Sequence, residues 1–167
     1  MSAKVISRIA VMSALCFVLR LAFSSLPNVQ PVTAIFLVYL LCYGLAEAVL
    51  LMGLCMLLTS FILGFGPWVF WQISAFAIIL LVWKVLLYPL SKKVVRYDLL
   101  IQSLMAAFCG LAYGFLIDAA FAYLYSMPWW TYLLAGMPFN LAHAVSTFVF
   151  YPLILLLFRR ISNEKRI

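Results

Sequence analysis

Three ionisable side chains stand alone inside long apolar runs of this chain: Arg20, Asp118 and His143. A charged group in a lipid-embedded helix is costly, so it turns toward the bundle interior and pairs or lines a cavity. Two arrangements satisfy these three. An Arg20–Asp118 ion pair would lock helices together, or all three would form the polar floor of a pocket, with His143 as a hydrogen-bonding partner. Four amides, Asn28, Gln30, Gln72 and Asn140, and four tryptophans, Trp68, Trp71, Trp129 and Trp130, fall near the same ends of the apolar segments. Indole faces stack flat heterocycles, and amides satisfy ring nitrogens and hydroxyls. The same tryptophans also fit an aromatic belt at the headgroups. Covalent chemistry finds little support. There is one histidine, no H-E-x-x-H, no C-x-x-C, no G-x-x-x-x-G-K-[ST] and no nucleophile–base spacing, so neither a metal nor a cofactor is expected.

The segments that must hold these groups follow from composition. Of 167 residues, 69% are hydrophobic and 9% charged, against about 25% charged in soluble domains. Apolar stretches of helical length indicate an α-helical membrane protein. A β-barrel would instead show alternating segments of roughly ten residues. At about 20 residues per span, residues 1–167 hold six helices as a single membrane domain and no soluble domain. Cys16, Cys42, Cys55 and Cys109 lie within apolar runs and read as small core residues. Arg20 would break the apolar region of a signal peptide, so the N-terminal segment is kept as the first span.

Proline and charge mark the segments as 5–26, 67–89, 98–125 and 138–161, with Pro67 and Pro138 at helix starts and Asp98 as an N-cap. Residues 32–63 are too long for one span, since a single helix would run to about 48 Å. Basic residues cluster at the N-terminus, at 84–96 and at the C-terminus. The +7 net charge is therefore a positive-inside signal, not a nucleic-acid footprint. The three clusters share one face only if 32–63 crosses twice, as short helices 32–42 and 45–63 turning near Gly44. The expectation is six transmembrane helices with both termini cytoplasmic. The uncharged loops 26–31, 64–67 and 126–137 then lie outside, and Arg20, Asp118 and His143 share one depth below them. In the first loop, Pro27 and Pro31 bracket Asn28, Val29 and Gln30. It reads either as a stiff, pre-shaped wall of a site or as an ordinary polar turn.

On the first helix Ala3, Ser7, Ala10 and Ala14 form a stripe of small residues that allows close helix approach in lipid. The stripe serves a partner or the protein's own bundle equally well. Glu47, at a helix start where the dipole favours negative charge, reads as structural or as a partner contact. Lys84 is placed to snorkel to the headgroups. No internal repeat supports an inverted-repeat transporter.

This pattern resembles the substrate-binding S components of energy-coupling factor (ECF) vitamin transporters. The resemblance rests on the length, the six-helix plan and Ala10-x-x-x-Ala14. It rests further on Pro27-Asn-Val-Gln-Pro31, Gly64-Phe-Gly-Pro-Trp-Val-Phe-Trp-Gln72 and Asn140-Leu-Ala-His143. It implies a non-catalytic subunit of an ABC-type importer in the bacterial plasma membrane. Such a subunit captures a vitamin or precursor in an outward cavity, through Asn28, Gln30, Trp68, Trp71, Gln72, Asp118, Trp129, Asn140, His143 and Arg20. It further implies docking through Ala3, Ser7, Ala10 and Ala14 on a membrane coupling subunit (T component) that works with two ABC ATPases. Val69 and Phe70 depart from the polar residue and proline that often follow this tryptophan in relatives. An aromatic, amide-rich pocket suits hydroxymethylpyrimidine or pyridoxine better than a large corrinoid such as cobalamin, or an anion. Two other classes compete: a gradient-driven small-solute carrier with Asp118 as proton site, and a membrane enzyme using His143 and Asp118 as acid and base.

Overall fold

The computed structural model describes residues 1–93 and 98–162. Arg96, Lys165 and Arg166 of the basic clusters lie outside them. The described residues form six helices: α1 (Ala3–Ala22), α2 (Val32–Tyr43), α3 (Leu45–Leu63), α4 (Trp68–Ser91), α5 (Asp98–Leu124) and α6 (Trp129–Ser162). Five are long and apolar enough to cross a membrane, and α2 is a shorter apolar helix. A π-helical turn at Trp83–Leu87 interrupts α4.

The break within 32–63 falls at Gly44, whose φ of 90° lies in the region that glycine enters without strain. Its N–H closes α2 on Leu40 O at 2.8 Å, and its carbonyl receives Ala48 N at 3.2 Å to start α3. One residue thus ends one helix and opens the next. Every residue of α2 from Val32 to Leu40 is buried. A helix that is apolar on all sides belongs inside a bundle, and α2 is the centre of this one. Phe36 packs edge-on against Phe76 of α4 at 5.4 Å.

At the Gly44 end, Arg8 of α1 forms an ion pair of 2.6 Å with Glu47 and lies 4.0 Å over the Tyr43 ring. Tyr39 donates to the same carboxylate at 3.3 Å. Glu47 therefore ties α1, α2 and α3 together. Nearby polar groups link α4, α5 and α6: Lys92 to Asp98 at 3.0 Å, Gln102 to Asp98 at 2.7 Å, and Tyr151 to Gln102 at 2.8 Å. The sequence suggests Asp98 as an N-cap; it is instead the first residue of α5, and its carboxylate accepts from Lys92 and Gln102.

α5 and α6 pack most intimately, and the cause is Gly110-x-x-x-Gly114. A Cβ on Gly110 would meet Thr147 Oγ1 at 2.9 Å and the His143 carbonyl at 3.2 Å, and one on Gly114 would occupy the space of the Asn140 side chain. Small residues four apart allow this backbone approach. It brings Asp118 of α5 beside Asn140 of α6.

Two boundaries differ from the sequence reading. α1 ends at Ala22 rather than 26, closed by the Phe23 N–H on Leu19 O at 3.0 Å. α6 begins at Trp129 rather than at Pro138, so the expected loop 126–137 shrinks to a tight turn. Met127 N–H reaches Ala122 O at 2.9 Å around Ser126, whose φ is 53°. This is the Schellman pattern that ends helices. Pro128 then starts α6, accepting from Tyr132 N at 3.1 Å. Pro138 sits inside the helix. It forfeits one backbone bond there, a loss membrane helices tolerate because neighbouring groups re-satisfy the freed carbonyl.

Candidate functional site

A cavity of about 520 Å³ opens where α1 ends and α6 begins, bounded by all six helices and the loop between α1 and α2. That volume lies within the range of small-molecule sites, about 300–1,000 Å³. Seven of the residues expected at a site line it: Arg20, Asn28, Gln30, Gln72, Asp118, Asn140 and His143. The three ionisable groups share one chamber, Asp118 and His143 buried and Arg20 half-buried.

Their partners are not those first suggested. Asp118 is bound by Asn140, whose Nδ2 donates to Oδ2 at 2.6 Å. Arg20 instead donates through Nη1 to Thr59 Oγ1 at 2.7 Å, with Met56 Sδ at 2.6 Å. The ion pairs formed among the described residues are Arg8–Glu47 and Lys92–Asp98, so an Arg20–Asp118 lock is absent there. His143 Nε2 shares a hydrogen bond of 2.8 Å with Thr33 Oγ1 of α2.

Glycine is required at one further place. A Cβ on Gly136 would collide with the Asp118 carboxylate. The carboxylate can thus lie against the α6 backbone only because position 136 carries no side chain.

The first loop is fastened rather than free. Gln30 N–H donates to Ser146 Oγ at 2.9 Å, and that hydroxyl donates back to Gln30 O at 3.0 Å. Asn28, with φ 56°, donates through its side chain to Phe139 O at 3.2 Å. Two residues of the loop are therefore clamped to α6, and Gln30 lines the chamber together with Gln72.

The aromatic walls come from residues the sequence reading passed over. Phe76 and Tyr113 stack with centroids 3.9 Å apart, and Tyr113 meets the His143 ring edge-on at 5.3 Å. Phe121 and Tyr132 lie nearly parallel at 6.4 Å, and Phe139 completes the lining. The tryptophans stay outside it. Trp68 folds over Gly66, where a Cβ would enter its ring. Trp71 is 42% exposed, Trp129 50% and Trp130 71%. Exposed indoles at helix ends suit the headgroup belt, the other reading of these residues.

Signals for the missed residues existed. Phe76 lies one helical turn beyond Gln72, and Tyr113 lies within Gly110-x-x-x-Gly114. Tyr132, Ala135 and Gly136 were hidden because their segment read as loop. Thr33 lies just after Pro31, beside the amides already singled out.

On α1, Ala3, Ser7, Ala10 and Ala14 are all exposed. Ile9, Ser13 and Cys16 turn inward instead. The small-residue stripe is therefore not used by the protein's own bundle.

The fold and chamber define a multi-pass membrane protein built around a small-molecule cavity. Residues 4–155 match the family model "ECF transporter, substrate-specific component". The chain belongs to that family, whose members are transport subunits that recognise a small molecule and associate with a T component and ATPases. Comparison with curated proteins and with solved structures returned no match.

Proposed function

We propose that this chain is the substrate-binding membrane subunit of an ECF-type importer, capturing a small vitamin or vitamin precursor from outside the cell. In this reading the chain crosses a bacterial plasma membrane six times with both termini cytoplasmic. It performs no covalent chemistry, and two partner ATPases supply the energy through the T component. The observation that carries the proposal is the cavity of about 520 Å³ that gathers these seven residues from four helices and the first loop in an otherwise apolar bundle. A purely structural network would close on itself. Here Gln30 and Gln72 line the open space.

Each wall has a distinct task. Phe76 and Tyr113 offer a stacked aromatic face to a flat ring. Gln30, Gln72 and Asn140 supply donors and acceptors to its edge, and His143 is held by Thr33 in one orientation. The clamp of Gln30 on Ser146 keeps the loop ordered before a ligand arrives, which lowers the cost of binding. A ring of hydroxymethylpyrimidine or pyridoxine size fits this lining. The exposed stripe Ala3, Ser7, Ala10 and Ala14 is the docking face for the T component, because small side chains let a partner helix approach closely.

Two measurements test the proposal together. Affinity purification is expected to recover a T component and two ATPases with the chain, and mass spectrometry of the denatured sample is expected to find a small organic molecule. Recovery of the chain alone, with proton-dependent uptake by the pure protein in liposomes, would refute it in favour of a gradient-driven carrier using Asp118.

A further inference from the structure

Among the described residues Arg20 lacks a counter-charge, and the acidic residues account for why. The chain has four. Glu47 pairs with Arg8, Asp98 pairs with Lys92, and Asp118 is held by Asn140. Glu164 lies outside the described residues. Among the described residues, then, no carboxylate meets the Arg20 guanidinium, although an unpaired charge in a membrane-embedded segment is expensive. The side chain does not escape toward the headgroups. It turns into the cavity wall, anchored by Nη1 on Thr59 Oγ1.

That anchoring leaves one edge of the guanidinium without a protein acceptor among the described residues. Nε is buried with no hydrogen-bond partner, and no protein acceptor meets Nη2 among the described residues. Nε–H and Nη2–H point the same way, and together they form the side-on fork that takes two oxygens of a carboxylate or phosphate. A second feature of the chamber has the same sign. α2 begins with Val32 and Thr33 in the lining and has no side-chain cap. Its first N–H groups and the positive end of its dipole therefore favour an anion nearby.

We propose that the ligand of this cavity carries an anionic group, a carboxylate or a phosphate, that pairs with the Arg20 guanidinium. This rests on the receptor reading above and narrows it. The ring lies against Phe76 and Tyr113, its polar substituents meet Gln30, Gln72 and Asp118, and its acid completes Arg20. Ring compounds bearing an acid are then preferred over their neutral counterparts, pyridoxine and hydroxymethylpyrimidine included.

The test uses full-length protein in nanodiscs and matched probes: pyridoxine against 4-pyridoxate and pyridoxine 5′-phosphate, hydroxymethylpyrimidine against its monophosphate, and nicotinamide against nicotinate. Calorimetric titration is expected to show an anionic member binding about tenfold or more tighter than its neutral partner, the scale of a charge-assisted contact. The carboxylate and phosphate arms identify which acid is used. Arg20→Gln is expected to bring the two members within about twofold of each other by weakening the anionic one, and Arg20→Lys to keep part of the preference. Any molecule that co-purifies is expected to be an acid. Equal or tighter binding of the neutral members by the wild type, or a neutral co-purified molecule, overturns the anion assignment and leaves the receptor reading standing. If Arg20→Gln does not fold, the wild-type preference and the charge of the co-purified molecule decide alone. If no probe binds and nothing co-purifies, both fall.

Discussion

Gly136→Ala is the most revealing single change, because it adds one methyl group at a place the cavity cannot spare. The three atoms nearest a Cβ built there all belong to the Asp118 carboxyl group. The carboxylate must swing away, and its 2.6 Å hydrogen bond from Asn140 is lost with it. A hydrogen bond to a charged group is worth about 1.5–3 kcal/mol. Where Asp118 and Asn140 contact the ligand, that loss converts to a roughly ten- to hundredfold weaker affinity. The backbone works in the opposite direction, since alanine is favoured over glycine within a helix by about 0.8–1.0 kcal/mol. The variant is therefore expected to fold and to fail in binding. The assay is the molar ratio of co-purified small molecule to protein by mass spectrometry, with thermal unfolding of the empty protein as the folding control. Gly53→Ala is the reference, because a Cβ at Gly53 meets no atom within 4 Å. Equal retention by the folded Gly136→Ala and Gly53→Ala variants would refute the assignment of Asp118 to the ligand.

Thr33→Val keeps the shape of α2 but removes the hydroxyl that holds His143 at 2.8 Å. Affinity is expected to fall about two- to tenfold, and an unchanged titration would show that His143 needs no such support. Ala10→Trp, on the exposed stripe of α1, is expected to abolish co-purification with the T component while sparing ligand binding by the isolated chain. Normal recovery of the complex would move the docking face elsewhere. Glu47→Gln removes the charge that faces Arg8 at 2.6 Å. Its thermal unfolding midpoint in detergent is expected to drop, with ligand affinity held within about twofold because the residue lies outside the cavity lining. A large affinity loss at an unchanged midpoint would contradict that.

The sequence revealed much of this architecture wherever one residue type has one physical use. Gly44 between two apolar runs could only be a break, and the break is there. Arg20, Asp118 and His143 had to turn inward, and they meet in one chamber. Partner choice was less legible. Opposite charges suggested an Arg20–Asp118 bond, but Asn140 lies closer to Asp118 because Gly110 and Gly114 draw α5 onto α6. That spacing is written in the sequence, yet its effect appears only once the facing helix is known. Pro138 misled for a local reason. Proline is common at helix starts, and the competing start at Pro128 depends on a Schellman turn around Ser126, a residue type that seldom adopts positive φ. The error hid Tyr132 and Gly136. Tryptophan was read for its stacking power, but its amphipathic ring serves a membrane surface equally well, and exposure decides between the two.

From Val32 to Leu40, α2 touches only protein, and its twelve residues reach about 18 Å of a hydrocarbon layer roughly 30 Å thick. It has no flank for acyl chains to grip and too little length to anchor itself. During synthesis this plug must wait until the later-made walls α4 to α6 have been threaded into the bilayer and can close around it. A nascent chain halted after α3 would hold a central pillar flanked only by α1 and α3, with its remaining sides bare.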